Sequence, residues 1–145
     1  MTDKQSMMAT VIITGRPGSG KTAHVIEKLN ESEGKALLVS LENPTKILMR
    51  RGLKSSVAIL DVEPNRLKAE DILALCRQHK PILVAVDNLE LVPQTIDLAS
   101  LQRELECLGV RNVLITAHLR RDMQPASQAR MDSLEGKPRV VQMFQ

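Results

Sequence analysis

Phe144 is the only aromatic residue in a chain of 145; tryptophan and tyrosine are missing altogether. A platform that stacks single-stranded bases on aromatic rings is therefore excluded, and any nucleic-acid contact must run through the phosphate backbone. Cysteine is scarce as well. Cys76 and Cys107 fall in helix-like segments without metal-ligand spacing, so both are expected to be buried free thiols. No apolar run approaches the length that spans a bilayer, and the first eight residues, MTDKQSMM, lack the apolar core of a signal peptide. The expectation is a soluble, cytoplasmic protein with no membrane partner. Excess charge is lacking too: 20 Lys and Arg against 17 Asp and Glu leave +3, which alone does not argue for nucleic acid. Basic residues cluster locally, at Lys46, Arg50, Arg51 and Lys54 and again at Arg120 and Arg121. Either cluster could touch phosphates, although a solvated helix face accounts for each taken alone.

What is present amounts to one domain, long enough to bury a core. Short apolar runs alternate with longer amphipathic stretches, the pattern of an α/β protein whose mainly parallel sheet is covered by helices. Six strands are expected, at 10–14, 36–41, 57–62, 82–87, 112–117 and 139–144, with helices at about 21–32, 44–52, 66–79 and 95–108. Pro44 suits the first turn of its helix, and Gly34, Gly52 and Gly109 fall where C-terminal caps belong. The polar, unpatterned segment 119–138 is long for a connection and reads as a functional or mobile loop.

One stretch carries recognisable chemistry. In VIITGRPGSGKT an apolar run leads into Gly15, Arg16, Pro17, Gly18, Ser19, Gly20, Lys21 and Thr22, which fit the P-loop spacing G-x-x-x-x-G-K-[ST]. Glycines let the backbone curl so that successive N–H groups point at phosphate oxygens, and the following helix offers its positive end. Lys21 is expected to reach the β- and γ-phosphates of ATP. Thr22 is expected to hold Mg²⁺, an ion that takes hard oxygen ligands. The second half of such a site needs an acid at the end of a buried strand, and ILVAVD supplies Asp87. The residue after it, where many P-loop ATPases carry a glutamate to polarise water, is Asn88, so the base must come from elsewhere.

With these motifs in hand the chain resembles the RecA-like ATPases, and among them the DnaB-type hexameric helicases that serve DNA replication. GRPGSGKTAHVIEKL is similar to that family's P-loop and first helix, LLVSLENPTKILMRR to its strand ending S-L-E with a helix containing M-R, and LVAVDNLELV to its Walker B strand. NVLITAHLRR is similar to the strand ending in a phosphate-sensing glutamine or histidine. Together these stretches cover most of residues 10 to 121.

The resemblance implies a three-layer P-loop fold with strands ordered 3-2-4-5-1, to which a C-terminal strand is added here. It implies Glu42 as general base and His118 as γ-phosphate sensor, beside Lys21 in the catalytic set. It also implies assembly, as a homo-oligomer or with a larger helicase or recombinase, with a lysine and an arginine two apart acting on the neighbour's ATP. GKPR offers Lys137 and Arg139 at that spacing, with Arg120 and Arg121 as fallbacks. The implied function is an ATPase working on DNA or in a DNA-processing assembly. Other readings are a nucleotide-binding adaptor of a larger motor with little turnover, and a phage assembly ATPase of the zonula-occludens-toxin type, which residues 7 to 29, MMATVIITGRPGSGKTAHVIEKL, also resemble. A small-molecule kinase ranks last, because only the segment 119–138 could supply its lid.

Overall fold

A computed structural model describes residues 8 to 144 of the chain. Residues 1 to 7, most of the stretch that lacks a signal-peptide core, lie outside the described residues, as does Gln145. The chain runs β1 (Ala9–Gly15), α1 (Lys21–Asn30), β2 (Ala36–Ser40), α2 (Thr45–Arg50), β3 (Ala58–Asp61), α3 (Ala69–His79), β4 (Leu83–Asp87), α4 (Leu98–Cys107), β5 (Asn112–His118), α5 (Gln128–Asp132) and β6 (Arg139–Gln142). Short 3₁₀ turns precede α3, at Pro64–Arg66, and follow β4, at Leu89–Leu91. The six strands form one open sheet in the order β3-β2-β4-β5-β1-β6. Every pairing in it is parallel. Among the described residues no helix is long and apolar enough to cross a membrane.

The apolar runs are continuous because both faces of the sheet are covered. Alternate residues serve opposite sides, as the two-residue period of a strand requires. Leu37, Val39, Val84, Val86, Val113 and Ile115 enter one buried cluster with residues of α3 and α4. Ala36, Leu38, Leu83, Ala85 and Leu114 enter a second cluster with Val25, Ile26 and Leu29 of α1 and Leu48 of α2. A helical layer therefore lies on each side of the sheet.

Several local expectations need correction. Pro44 stands just before α2 as an extended cap residue instead of inside the first turn. Gly52 and Gly109 do adopt positive φ, at 98° and 94°, but Gly34 does not end α1 as a left-handed cap. A Cβ on Gly34 would lie 2.7 Å from Cδ1 of Ile82, so a close approach between chain segments accounts for that glycine. Cys76 is buried as expected, whereas Cys107, near the end of α4, is exposed.

The segment 119–138 is tied down along its length. Leu119 forms an antiparallel bridge with Pro125, and Met131 and Leu134 are buried in the larger cluster. Arg130 donates from its two terminal nitrogens to the carbonyls of Ile96 and Pro93. Gln102 donates to Glu135 O and accepts from Glu135 N, which pins the far end of the segment to α4.

Candidate functional site

In a parallel sheet all strands end on the same edge, and ligands of open α/β sheets bind in the crevice outside those ends. Register determines which residues meet there. Gly15 at the end of β1 is level with His118 at the end of β5. Ser40 at the end of β2 is level with Asp87 at the end of β4. A cleft of about 290 Å³ opens at this edge, lined by Gly18, Gly20, Lys21, Thr22, Glu42, Asn43, Arg51, Asp87 and His118 among others.

The glycine-rich loop forms one wall. Gly18 and Gly20 hold φ of 82° and 94°, a region that side chains disfavour. Gly15 contributes differently: a Cβ there would crowd the Ser19 hydroxyl and lie 3.2 Å from the Met143 Cβ, so the neighbours pack closely against its backbone. Helix α1 begins directly after Gly20 and has no acidic residue in its first turn. Its positive end therefore faces the loop with no acid of the helix's own to offset it, a setting that favours an anion.

Lys21 is 7% exposed. Its Nζ donates to the carbonyls of Gly15 at 2.8 Å and Arg16 at 3.0 Å, so the loop's own backbone holds the ammonium. Desolvation by burial lowers its pKa below the ordinary 10.5, an effect opposed by the negative charges of Asp87, Glu42 and Glu90. A polyanion beside this ammonium would restore the solvation that burial removes. The Ser19 hydroxyl is buried and has no hydrogen-bond partner among the described residues.

Asp87 is 3% exposed and is fixed from two sides. Thr116 Oγ1 donates to its Oδ1 at 2.7 Å, and Thr22 Oγ1 donates to its Oδ2 at 3.2 Å. Thr22 and Asp87 thus present two hard oxygens side by side at the foot of the cleft, a donor set that suits Mg²⁺ completed by phosphate and water. Among the described residues no group of three or more His, Cys, Asp or Glu could hold a metal ion. An ion at this position would therefore depend on its ligand for the remaining coordination.

Across the cleft, Glu42 sits on a braced turn. Leu41 N donates to Asp87 O at 2.9 Å. Ser40 Oγ donates to Asn43 O at 2.5 Å, and Asp61 Oδ2 accepts from both the amide and the hydroxyl of Thr45. His118 is reached through Asn88, whose Nδ2 donates to Glu42 Oε1 at 2.9 Å and lies 3.0 Å from His118 Nε2. His118 and Glu42 themselves stand 3.9 Å apart, beyond hydrogen-bond reach.

The cleft therefore brings Lys21, Thr22, Asp87, Glu42 and His118 together from four strand ends. Lys137 and Arg139 lie elsewhere. Arg139 opens β6 level with Val11, towards the start of the strands and away from the cleft. Arg120 follows β5 and is paired with Asp122 at 3.1 Å.

Sequence reasoning named Arg51 only within a basic cluster that could touch phosphates, without placing it in the site; it lines the cleft. The same reasoning missed Thr116 and the bridging role of Asn88. A lone hydroxyl inside the apolar strand NVLITA was the available signal for Thr116.

No protein-family model matches the chain, and a search of curated proteins finds no match.

Proposed function

We propose that this cleft binds ATP with Mg²⁺ and hydrolyses it, and that the chain is a RecA-like P-loop domain, nearest in pattern to the motor of DnaB-type helicases, acting with DNA or a DNA-processing assembly. The observation that carries the reading is the meeting of three groups on one sheet edge: the glycine loop with its buried lysine, the Thr22–Asp87 pair, and Glu42 across the cleft. The strand order β3-β2-β4-β5-β1 supports it, being compatible with the order the resemblance implies.

In this mechanism the backbone N–H groups of Gly18, Gly20, Lys21 and Thr22, at the loop and the α1 terminus, receive the phosphates, and Lys21 neutralises the β- and γ-phosphoryl oxygens. Thr22 and Asp87 would hold Mg²⁺, which would supply positive charge to the same oxygens. Glu42 accepts a proton from a water as its oxygen attacks the γ-phosphorus and the bond to the β-phosphate oxygen breaks, leaving ADP and phosphate. His118, level with the start of the glycine loop, hydrogen-bonds the γ-phosphate and registers its loss. Arg139 starts β6 level with Val11, away from the cleft of its own subunit; in this reading Lys137 and Arg139 would act on the site of a neighbouring subunit, with Arg120 and Arg121 as fallbacks. DNA is met through its backbone phosphates.

The test is ATP turnover measured with and without single-stranded DNA over a range of protein concentration. The rate per subunit should rise as subunits associate and rise again with DNA. Mixing an Arg139→Ala subunit with a Lys21→Ala subunit should partly restore activity, because a mixed seam can join an intact loop to an intact arginine. A rate that stays constant from dilute to concentrated protein, with no response to DNA and no rescue, contradicts the assembly reading.

A further inference from the structure

Asn88 occupies the position after Asp87, is 3% exposed, and uses every polar atom of its side chain. Its Oδ1 accepts from the backbone N–H of Glu90 at 3.0 Å. A backbone N–H can only donate, so this bond decides which end of the amide is oxygen. The NH₂ group must then face the cleft, where its two hydrogens meet Glu42 Oε1 at 2.9 Å and His118 Nε2 at 3.0 Å. A group that receives a hydrogen from Asn88 must offer a lone pair, so the neutral His118 ring carries its proton on Nδ1. The arrangement closes on itself, because the backbone N–H of His118 donates to Glu90 Oε1 at 2.9 Å.

We propose that Asn88 is a positioning residue that joins Glu42 and His118 into one unit, holding the glutamate towards the cleft and fixing the histidine in its Nδ1–H tautomer with the Nε2 lone pair turned to the amide. A γ-phosphate oxygen can only accept, so His118 cannot engage it through Nε2 while that atom accepts from Asn88. Engagement of phosphate by Nε2 requires His118 to leave Asn88 or to gain a second proton, and either event frees one amide hydrogen beside Glu42. Phosphate sensing and orientation of the base are coupled through this single side chain. The inference deepens the hydrolytic reading and rests on it for its catalytic consequence, whereas the tautomer of His118 can be read without nucleotide.

The experiment compares wild type with Asn88→Asp, which keeps an oxygen for the Glu90 N–H and the shape of the side chain but replaces the donor by a second acceptor. Nitrogen-15 NMR of the neutral His118 ring in nucleotide-free protein should show Nδ1–H in wild type and a shift to Nε2–H in Asn88→Asp. Turnover of ATP should fall about ten- to hundredfold with nucleotide affinity within about twofold, since misplacement of a reacting group by about 1 Å can cost on the order of a hundredfold. Wild-type His118 in the Nε2–H form overturns the proposal without recourse to any variant. An unchanged tautomer in Asn88→Asp overturns it as well, and so does an unchanged rate. A tautomer switch between wild type and Asn88→Asp, with wild type hydrolysing no ATP, removes the hydrolytic reading and upholds the bridge.

Discussion

On the proposed hydrolytic reading, replacing Glu42 by glutamine should separate nucleotide binding from hydrolysis, because the substitution would remove the base and little else. Glu42 Oε1 accepts from Asn88 Nδ2 at 2.9 Å, and a glutamine carbonyl can accept the same bond. The bonds that hold the turn are made by Leu41, Ser40, Asn43, Thr45 and Asp61, not by the carboxylate. The side chain is 47% exposed, so no cavity opens. Stability and ATP affinity should therefore stay near wild type. Hydrolysis should not, because a general base contributes about a hundredfold or more, which corresponds to roughly 2.7 kcal/mol in the barrier at about 1.4 kcal/mol per tenfold. Single-turnover hydrolysis with enzyme in excess, paired with equilibrium binding of ATP, measures the two effects separately. Glu42→Gln that hydrolyses at the wild-type rate would refute the assignment. Suspicion would then pass to Glu90, whose Oε1 is already engaged by the His118 amide.

Two further outcomes follow from the packing. Gln102 is 7% exposed and makes three bonds, two donated to Thr10 Oγ1 and Glu135 O and one accepted from Glu135 N. Gln102→Ala should cost about 2–4 kcal/mol of stability in urea unfolding, since each bond is worth about 1 kcal/mol net and the abandoned partners add to the loss; a change under about 0.5 kcal/mol would contradict the claim that this contact anchors the segment before β6. The thiols should behave differently from each other. Burial pushes the Cys76 thiol up from 9.0 to about 11, so the folded chain holds that proton more tightly than the unfolded one. Its stabilising contribution is full below the unfolded value and is lost as pH rises through the folded one. At pH about 8 a thiol reagent should label Cys107 at once and Cys76 only after unfolding; two equivalents of fast labelling in the native protein would contradict the burial.

Much of this architecture was legible because buried parallel strands advertise themselves as short apolar runs. Each of the six strands overlaps its expected range, and the register that follows brings the ends of β1, β5, β4 and β2 to one edge. The glycine loop was legible for a local reason, since its turns require the residues that spell the motif. What escaped was non-local. The anchoring of 119–138 depends on Met131, Leu134, Arg130 and Glu135 meeting partners more than thirty residues away in several cases, and no period in the segment signals those contacts. Helix α5, with five residues, is too short to show amphipathic repetition. Arg51 and Asn88 reach the cleft only through the sheet order, so their spacing along the chain says nothing of their proximity to Lys21 and His118. The fate of Cys107 turned on which face of α4 meets the sheet: Leu101 and Leu105 take that face and leave the cysteine outside.

Binding of ATP in the presence of Mg²⁺, measured by isothermal titration calorimetry on wild type and on Lys21→Ala, tests the central claim most directly. The buried ammonium of Lys21 is the charge that the glycine loop holds in place through the Gly15 and Arg16 carbonyls. Wild type should bind one ATP per chain, more tightly with Mg²⁺ than without it, and Lys21→Ala should show no saturable binding while remaining folded. Wild type that fails to bind, or Lys21→Ala that binds with wild-type affinity, would contradict the assignment of this cleft as a nucleotide site.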